Sequence, residues 1–379
     1  MAKSSEPQDP GTPPAPGNGH QANLAELAKF LGLSPSTVSR VINRTPGARS
    51  IPASTQDRIF SAAEKLNYRP NIIAKSLRKQ NTYTIGVIVP EIGEGYSSTV
   101  LNGIETSLVS NGYFFFVVSH MHREELLREY PRLLLARAVE GIIAVDTPWN
   151  EALKIPVVTV SGHKQISGLT NIVLNHRRAA ALALGHFIEL GHRKIAIIKG
   201  QDFSSDTETR WDAICYAAKR MNLELDPRLV VQLASESSTS MPGYAAAKAL
   251  IRGGAPFTAV FAFNDVSAIG AIRAIREAGL RVPEDVSVVG FDDIPSAAFQ
   301  NPALTTIRQP LQTMGTLAVE HLLGRIKGKK PANESDTVTV EPELVIRNST
   351  APVNPARNRD AGTPPAADVS TDVSTIIQP

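Results

Sequence analysis

From Thr84 onward the chain repeats one rhythm, a short apolar run followed by an amphipathic stretch, and that rhythm admits few folds. "TIGVIVP", "YFFFVVS", "GIIAV", "IPVVTV", "KIAIIKG", "TAVFAFND" and "DVSVVGFDD" are compact and rich in β-branched residues, as strands buried on both faces are. Between them, "SSTVLNGIETSLVSNG", "RRAAALALGHFIELG", "RWDAICYAAKRMN", "GYAAAKALIRGG", "SAIGAIRAIREAG" and "LQTMGTLAVEHLLGRIKG" carry a helical period, and several end in glycine, as a helix C-cap does. Strand and helix in alternation call for a parallel sheet with helical crossovers. The length allows two such sheets side by side.

Residues 23 to 79 keep a different rhythm, of short helices: "NLAELAKFLG", "SPSTVSRVIN", "STQDRIFSAAEKLNY" and "NIIAKSLRK". Asn23 and Glu26 stand as an N-cap and its N3 partner. Gly32 permits a tight stop, and Ser34 followed by Pro35 starts a second helix as N-cap and N1. Charge is concentrated here: ten basic residues against three acidic ones lie between Asn23 and Gln80, a surplus of seven, although the whole chain carries only three net positive charges. A basic head on a mildly acidic body predicts that the head meets a polyanion and the body does not.

The second helix of the head should turn Val38, Val41 and Ile42 inward, against Leu24, Leu27, Ala28 and Leu31 of the first. Its opposite face then shows Ser36, Thr37, Ser39, Arg40 and Asn43. Short hydrogen-bonding groups around one guanidinium suit base edges and phosphates in a major groove.

Other classes are excluded or disfavoured. The single cysteine, Cys215, permits no intrachain disulfide, which points to a reducing compartment. No run approaches the ~18 apolar residues of a membrane span. The first twenty residues hold five prolines and no apolar stretch, so neither export signal nor membrane anchor is expected. No phosphate-binding loop, dinucleotide fingerprint or metal-ligand spacing occurs. Pairs such as Asp292 with Asp293, or His192 with Asp206, do not make a convincing acid and base. The chain is read as a non-enzyme without cofactor, catalytic residue or metal.

In a doubly wound sheet, ligands bind beyond the carboxyl ends of the strands. That rule selects Glu91, Glu94 and Tyr96 after the first strand, Asp146 after "GIIAV", Asn264 and Asp265 after "TAVFAF", and Asp292 and Asp293 after "VSVVGF". Arg210 opens a helix on the same side. Asp265 is expected to N-cap its helix, and Trp211 to lie in the core.

"LAELAKFLGLSPSTVSRVIN", with "LNYRPNIIAKSLR" downstream and "TIGVIVPEI", "VEGIIAV", "LGHRKIAIIKG", "AVFAFNDVSAIGAIRAIREAGLRVPEDVSVVGFDD" and "LTTIRQP" in the body, resembles the LacI/GalR family of bacterial transcriptional regulators over about residues 23 to 348. The resemblance implies an all-α helix-turn-helix headpiece plus an α/β body like a periplasmic binding protein, with two doubly wound parallel-sheet subdomains. It implies that Ser36, Thr37 and Arg40 read or buttress the major groove, joined by Ser39, and that Asn43 and Asn71 contact the backbone. A hinge helix would enter the minor groove with Leu77 as a wedge beside Ala74, Lys75 and Arg78. Tyr96, Arg210, Asn264 and Asp292 would hold an effector, a saccharide first and a nucleobase second, and Asp146 joins them by its place after a strand end. The partners implied are double-stranded operator DNA, a small effector and a second copy of the chain, in the cytoplasm at the nucleoid.

The expected partition is a disordered tail at 1–22, the helix-turn-helix domain at 23–68, the hinge helix at 69–80, the effector-binding body at 81–348 and a disordered tail at 349–379. Within the body, subdomain one takes about 81–175 and 309–338, and subdomain two about 176–308 and 339–348. Several positions depart from the family pattern: Pro35 stands where relatives often carry a larger reading side chain, and the connection "RTPGARSIPAS" is long. "EIGEGYSS" is unusual in its second half, Asn175 stands where Asp is common, and Ala213 replaces a frequent Gly.

Overall fold

The computed structural model describes residues 22–69, 81–93, 95–150, 153–162, 166, 168–234, 239–328 and 336–354. The chain forms two compact units, Met1–Thr82 and Tyr83–Pro379. Most of the two tails, and the hinge residues 70–80, lie outside the described residues.

In the first unit, helices α1 (Leu24–Leu31), α2 (Pro35–Ile42) and α3 (Ala53–Lys65) pack around Leu27, Ala28, Val38, Val41, Ile59 and Ala62. The capping box forms as the sequence suggests: the Glu26 amide donates to Asn23 Oδ1 at 3.0 Å, and the Asn23 amide donates to Glu26 Oε2 at 2.9 Å. Gly32 ends α1 with φ 65°, a left-handed conformation that glycine adopts without a Cβ penalty. The long connection after α2 is taken up by a 3-10 turn over Pro46–Ser50. Gln56 braces it by donating to the carbonyls of Ala48 and Ile51.

The second unit holds two six-stranded sheets. The first contains β1 (Thr84–Val89), β2 (Phe114–Ser119), β3 (Gly141–Val145), β4 (Val157–Val160), β5 (Thr170–Leu174) and β11 (Asp336–Val340), in the order β11-β5-β4-β3-β1-β2. All its pairings are parallel. The second contains β6 (Ile195–Lys199), β7 (Val230–Gln232), β8 (Ala259–Ala262), β9 (Ser287–Asp292), β10 (Thr305–Arg308) and β12 (Glu343–Val345), in the order β12-β10-β9-β8-β6-β7. Here only β12 runs antiparallel to its neighbour.

Helices cover the sheets: α4 (Tyr96–Ser110), α5 (Glu124–Ala136) and α11 (Leu311–Ile326) belong with the first. Helices α6 (His176–Glu189), α7 (Asp206–Arg220), α8 (Met241–Arg252), α9 (Asp265–Glu277) and the short α10 (Pro295–Ala298) belong with the second. Two helix pairs cross on glycine. A Cβ at Gly103 of α4 would fall inside the carbonyl of Gln312 on α11, and one at Gly243 of α8 inside that of Ser267 on α9. No helix among the described residues is long and apolar enough to cross a membrane.

The chain passes between the sheets three times, and two of the expected boundaries move. Strand β11 pairs with β5 as far as Val340, so the first subdomain runs past 338. The body also continues beyond 348, since Ser349 is fully buried. Its hydroxyl donates to Val288 O at 2.6 Å and accepts from the Thr305 amide at 2.8 Å. The Val353 amide reaches Leu190 O. This segment is polar and proline-flanked, and its order comes from long-range hydrogen bonds rather than from apolar burial.

The apolar pattern does not mark strands β5, β7, β10, β11 and β12 or helices α5 and α10. In β10 both Thr305 and Thr306 are fully buried. Their hydroxyls are satisfied by Thr350 and the Arg347 amide in one case and by Asp265 in the other. In β11, burial alternates along "DTVTV" at the sheet edge.

Candidate functional site

The head presents a helix face built for contact. Ser34 caps α2 through its hydroxyl, which accepts from the Thr37 amide at 3.1 Å and also meets the hydroxyls of Ser36 at 2.9 Å and Thr37 at 2.8 Å. The three hydroxyls form one cluster at the N-terminus of α2, where amide hydrogens and the helix dipole favour an anion. Ser36 and Arg40 are exposed, and Thr37 and Ser39 partly so. Asn43 turns its amide back to the Ser39 carbonyl at 2.8 Å, so it finishes the helix as well as facing outward. Arg44 lies over the Phe60 ring at 5.9 Å. Asn71, Ala74, Lys75, Leu77 and Arg78 lie outside the described residues.

In the body, the carboxyl ends of both sheets open onto one cleft of about 790 Å³, a volume that includes its open mouth. Tyr96, Asp146, Arg210, Asn264 and Asp292 all line it, as does Glu91. Glu94 lies outside the described residues. Asp293 belongs elsewhere: Arg308 donates to it at 2.8 Å and Arg347 at 2.6 Å.

Each lining residue has a defined surrounding. The Tyr96 hydroxyl meets Ser161 Oγ at 2.6 Å, and burial, with the charges of Asp206 and Asp146 nearby, holds it well above the usual tyrosine range. Asp292 accepts from Gln309 Nε2 at 2.6 Å. Burial pushes its carboxyl up to about 7, against the opposing pull of Arg210 and the Gln309 hydrogen bond. Asn264 caps α9, its side-chain oxygen accepting from the Ser267 amide at 2.9 Å. The cap is therefore Asn264 and not Asp265, which is fully buried. Asp265 instead accepts from the Ile294 amide at 2.8 Å and from Thr306 at 2.5 Å, fastening α9 to the next loop.

Arg210 is as enclosed as Asp292, each at 5% exposure. Its Cζ sits 3.7 Å from the ring centroid of Phe291 and 4.3 Å from that of Phe263. One nitrogen donates to the Phe263 carbonyl and another to Asp206 Oδ2 at 3.0 Å. Trp211, next in sequence, packs against the core with Lys199 5.1 Å from its ring centroid.

Contacts among the described residues tie the sheets together across the cleft. Asp146 Oδ1 accepts from Ser205 Oγ at 2.6 Å and from the Ser205 amide at 3.3 Å, and the Ser205 hydroxyl is equally close to Ser161 O. The rings of His122 and Phe203 meet at a tilt of 37° with centroids 3.8 Å apart. Asp146, Ser161 and Asp292 hold φ of 38°, 57° and 107°, a left-handed conformation that costs non-glycine residues on the order of 1–3 kcal/mol each and concentrates at ligand sites.

Ser205, Asp206, Phe203, His122 and Gln309 were not singled out as ligand groups from sequence. In sequence only the i,i+4 spacing of Asp206 and Arg210 marks the pair. Among the described residues, no group of three or more His, Cys, Asp or Glu could hold a metal ion. His192, considered as an acid or base, is buried against Thr258 and the Ala351 carbonyl.

Residues 23–71 match the family model for bacterial regulatory proteins of the lacI family, and residues 184–350 match that for the periplasmic binding protein-like domain. The chain is 34% identical over 336 residues to the HTH-type transcriptional repressor PurR of Aliivibrio fischeri (strain MJ11), covering 86% of this chain and 98% of that protein. Among solved structures it is similar to the lac repressor dimer bound to operator and the anti-inducer ONPF, with a TM-score of 0.76 and 26% identity over 88% of this chain and 100% of the other. It is also similar to a complex of the transcriptional regulator CelR with cellobiose, with a TM-score of 0.65 and 26% identity over 87% and 100% of the two chains.

Proposed function

Because the chain belongs to the lacI family of bacterial regulatory proteins, we propose that this DNA-binding transcriptional repressor occupies a pseudo-palindromic operator as a homodimer and responds to a saccharide in its cleft. Helix α2 lies in the major groove, with Ser36, Thr37, Ser39 and Arg40 reading and Asn43 at the backbone. Asn71, Ala74, Lys75, Leu77 and Arg78 form the hinge segment that wedges the minor groove. The parts are a head at 23–68, a hinge at 69–80 and a two-subdomain body. The protein acts in the cytoplasm, at the nucleoid.

The observation that carries the effector assignment is the convergence of Tyr96, Asp146, Arg210, Asn264 and Asp292 on one cleft. Carboxylates accept from vicinal hydroxyls, the Asn264 amide nitrogen donates, and the rings of Tyr96 and Phe263 line the space beside the apolar side of a sugar. The CelR–cellobiose likeness supports this choice. A second copy of the chain suits the edge strand β2, where Phe114 is 62% exposed; Val109 of α4 is exposed as well.

Selection from randomised duplexes, followed by titration of the full chain on the selected site, tests the proposal. Binding should prefer a two-fold symmetric sequence and fall steeply between about 50 and 200 mM salt, and at least one neutral sugar should both raise the Tm and change operator affinity. Binding without sequence preference would overturn the DNA assignment, and a full sugar panel without effect would overturn the effector assignment.

A further inference from the structure

We propose that Asp206 sets the charge of the effector: by neutralising Arg210 it reserves the cleft for uncharged polyhydroxyl ligands and bars anionic ones. This rests on the saccharide assignment above and narrows it.

A guanidinium in a ligand cleft is ordinarily a receptor for carboxylate or phosphate, because its planar fork matches two oxygens. Arg210 is denied that role. It is the sole Lys or Arg among the described residues lining the cleft. Its Nη2 is held at 3.0 Å by Asp206 Oδ2, four residues earlier on the same helix, and both side chains are 6% exposed. Its Nη1 is taken by the Phe263 carbonyl, and Phe263 and Phe291 cover its plane. Its Nε is buried with no hydrogen-bond partner. Two of its five N–H groups are thus engaged within the protein, and the ion pair with Asp206 leaves little net positive charge for a phosphate or carboxylate to meet.

The other acidic groups among the described lining residues oppose an anion, Glu91 and Asp146 as carboxylates and Asp292 in part, since its carboxyl lies at about 7. Glu91, Asp146 and Asp292 face the same space as the Asp206–Arg210 pair. An anion entering would shed its water against carboxylates, with its natural partner already occupied, and in a partly desolvated site such like-charge opposition is expensive. A neutral polyol meets no such cost and supplies the protons these oxygens accept. Asp206 is therefore a specificity-determining residue that acts through Arg210. His176, whose Nε2 is 3.4 Å from Asp206 Oδ1, steadies it from the other side.

Titration calorimetry on the full chain with matched probes tests this: ribose and ribose 5-phosphate, glucose and glucose 6-phosphate, galactose and galacturonate. The wild type should bind the neutral member of any recognised pair about tenfold or more tighter than its anionic partner. Asp206→Asn, which keeps an oxygen for Nη2 but removes the charge, should close or reverse that gap by about tenfold, the scale of one charge-assisted contact.

Preference of the wild type for an anionic partner would overturn the assignment. So would an equal loss of both members in Asp206→Asn, the behaviour of a merely structural ion pair, and Asp206→Ser serves if the Asn variant does not fold. If no sugar binds in any form, the saccharide assignment fails by itself. Inorganic phosphate then decides the charge rule, which requires that phosphate raise the Tm of Asp206→Asn above both the wild type and the Asp206→Asn, Arg210→Gln double variant, and which falls if it does not.

Discussion

Asp146, beyond the end of β3 in the first sheet, accepts the hydroxyl of Ser205, at the mouth of α7 in the second, across 2.6 Å of cleft. The same hydroxyl lies 2.6 Å from Ser161 O. One proton serves two acceptors, so a ligand hydroxyl that takes over either acceptor loses little when this latch rearranges. The latch thus joins the two subdomains while remaining open to exchange.

Ser205→Ala should weaken that closure by about 1 kcal/mol, the net value of one such hydrogen bond, which corresponds to roughly a fivefold shift toward the open arrangement. Small-angle scattering of the ligand-free protein should report a larger radius of gyration, and the effector concentration giving half response should change with it. Identical scattering curves and midpoints for the two proteins would remove the latch.

Asp292 gives the body a pH dependence of definite sign. Its folded carboxyl titrates at about 7 against an ordinary 3.8, with burial as the main cause and Arg210 and Gln309 opposing it. A raised carboxyl binds its proton more tightly in the folded state. The associated stability is complete below the ordinary value and is lost as pH rises toward and through 7. Asp265 is raised in the same direction, chiefly by burial. Asp292→Asn should therefore gain Tm relative to wild type on going from pH 5 to pH 8, by about 2–4 °C for each kcal/mol recovered, and should lose effector binding. Parallel Tm profiles for the two proteins would contradict the assignment.

Ser349 supplies a third test. Its hydroxyl joins the Thr305 amide to the Val288 carbonyl inside the second sheet. Ser349→Ala would leave both groups buried and unpaired, at a cost of about 1–3 kcal/mol each in the worst case. Chemical denaturation should show a lower midpoint with an unchanged slope, and Ser349→Thr, which restores the hydroxyl, should recover part of the loss.

These sites mark where sequence was legible and where it was not. The caps Asn23 and Ser34 could be read because capping is local: donor and acceptor lie within three residues. Tyr96, Asp146, Arg210, Asn264 and Asp292 could be gathered because strand ends in a doubly wound sheet face one crevice. The choice between Asn264 and Asp265 as helix cap was beyond sequence, since both can cap and only the burial of Asp265 against Thr306 decides. Strand β10 and the Ser349 segment escaped for the same reason. Their polar groups are buried against partners distant in the chain, and apolar periodicity carries no trace of such partners. The Asp146–Ser205 contact spans 59 residues, beyond any spacing rule.

The head allows a final prediction that does not depend on the cleft. Pro35 begins α2 and offers no donor, and the Ser36 and Thr37 hydroxyls are already engaged with Ser34. Arg40, exposed one turn further along, is left with the strongest capacity to discriminate bases. A bidentate guanidinium on guanine contributes about 1–3 kcal/mol of selectivity. Arg40→Ala should therefore relax preference at one position of each half-site by that amount, while the fall of affinity with salt changes little. Arg49, exposed at the 3-10 turn, should behave in the opposite way if it meets phosphate: Arg49→Ala would weaken all duplexes alike and reduce the salt slope by about one unit. Competition binding on single-base variants of the selected operator at several salt concentrations separates the two effects. Equal sequence profiles for Arg40→Ala and wild type would show that α2 does not read through Arg40.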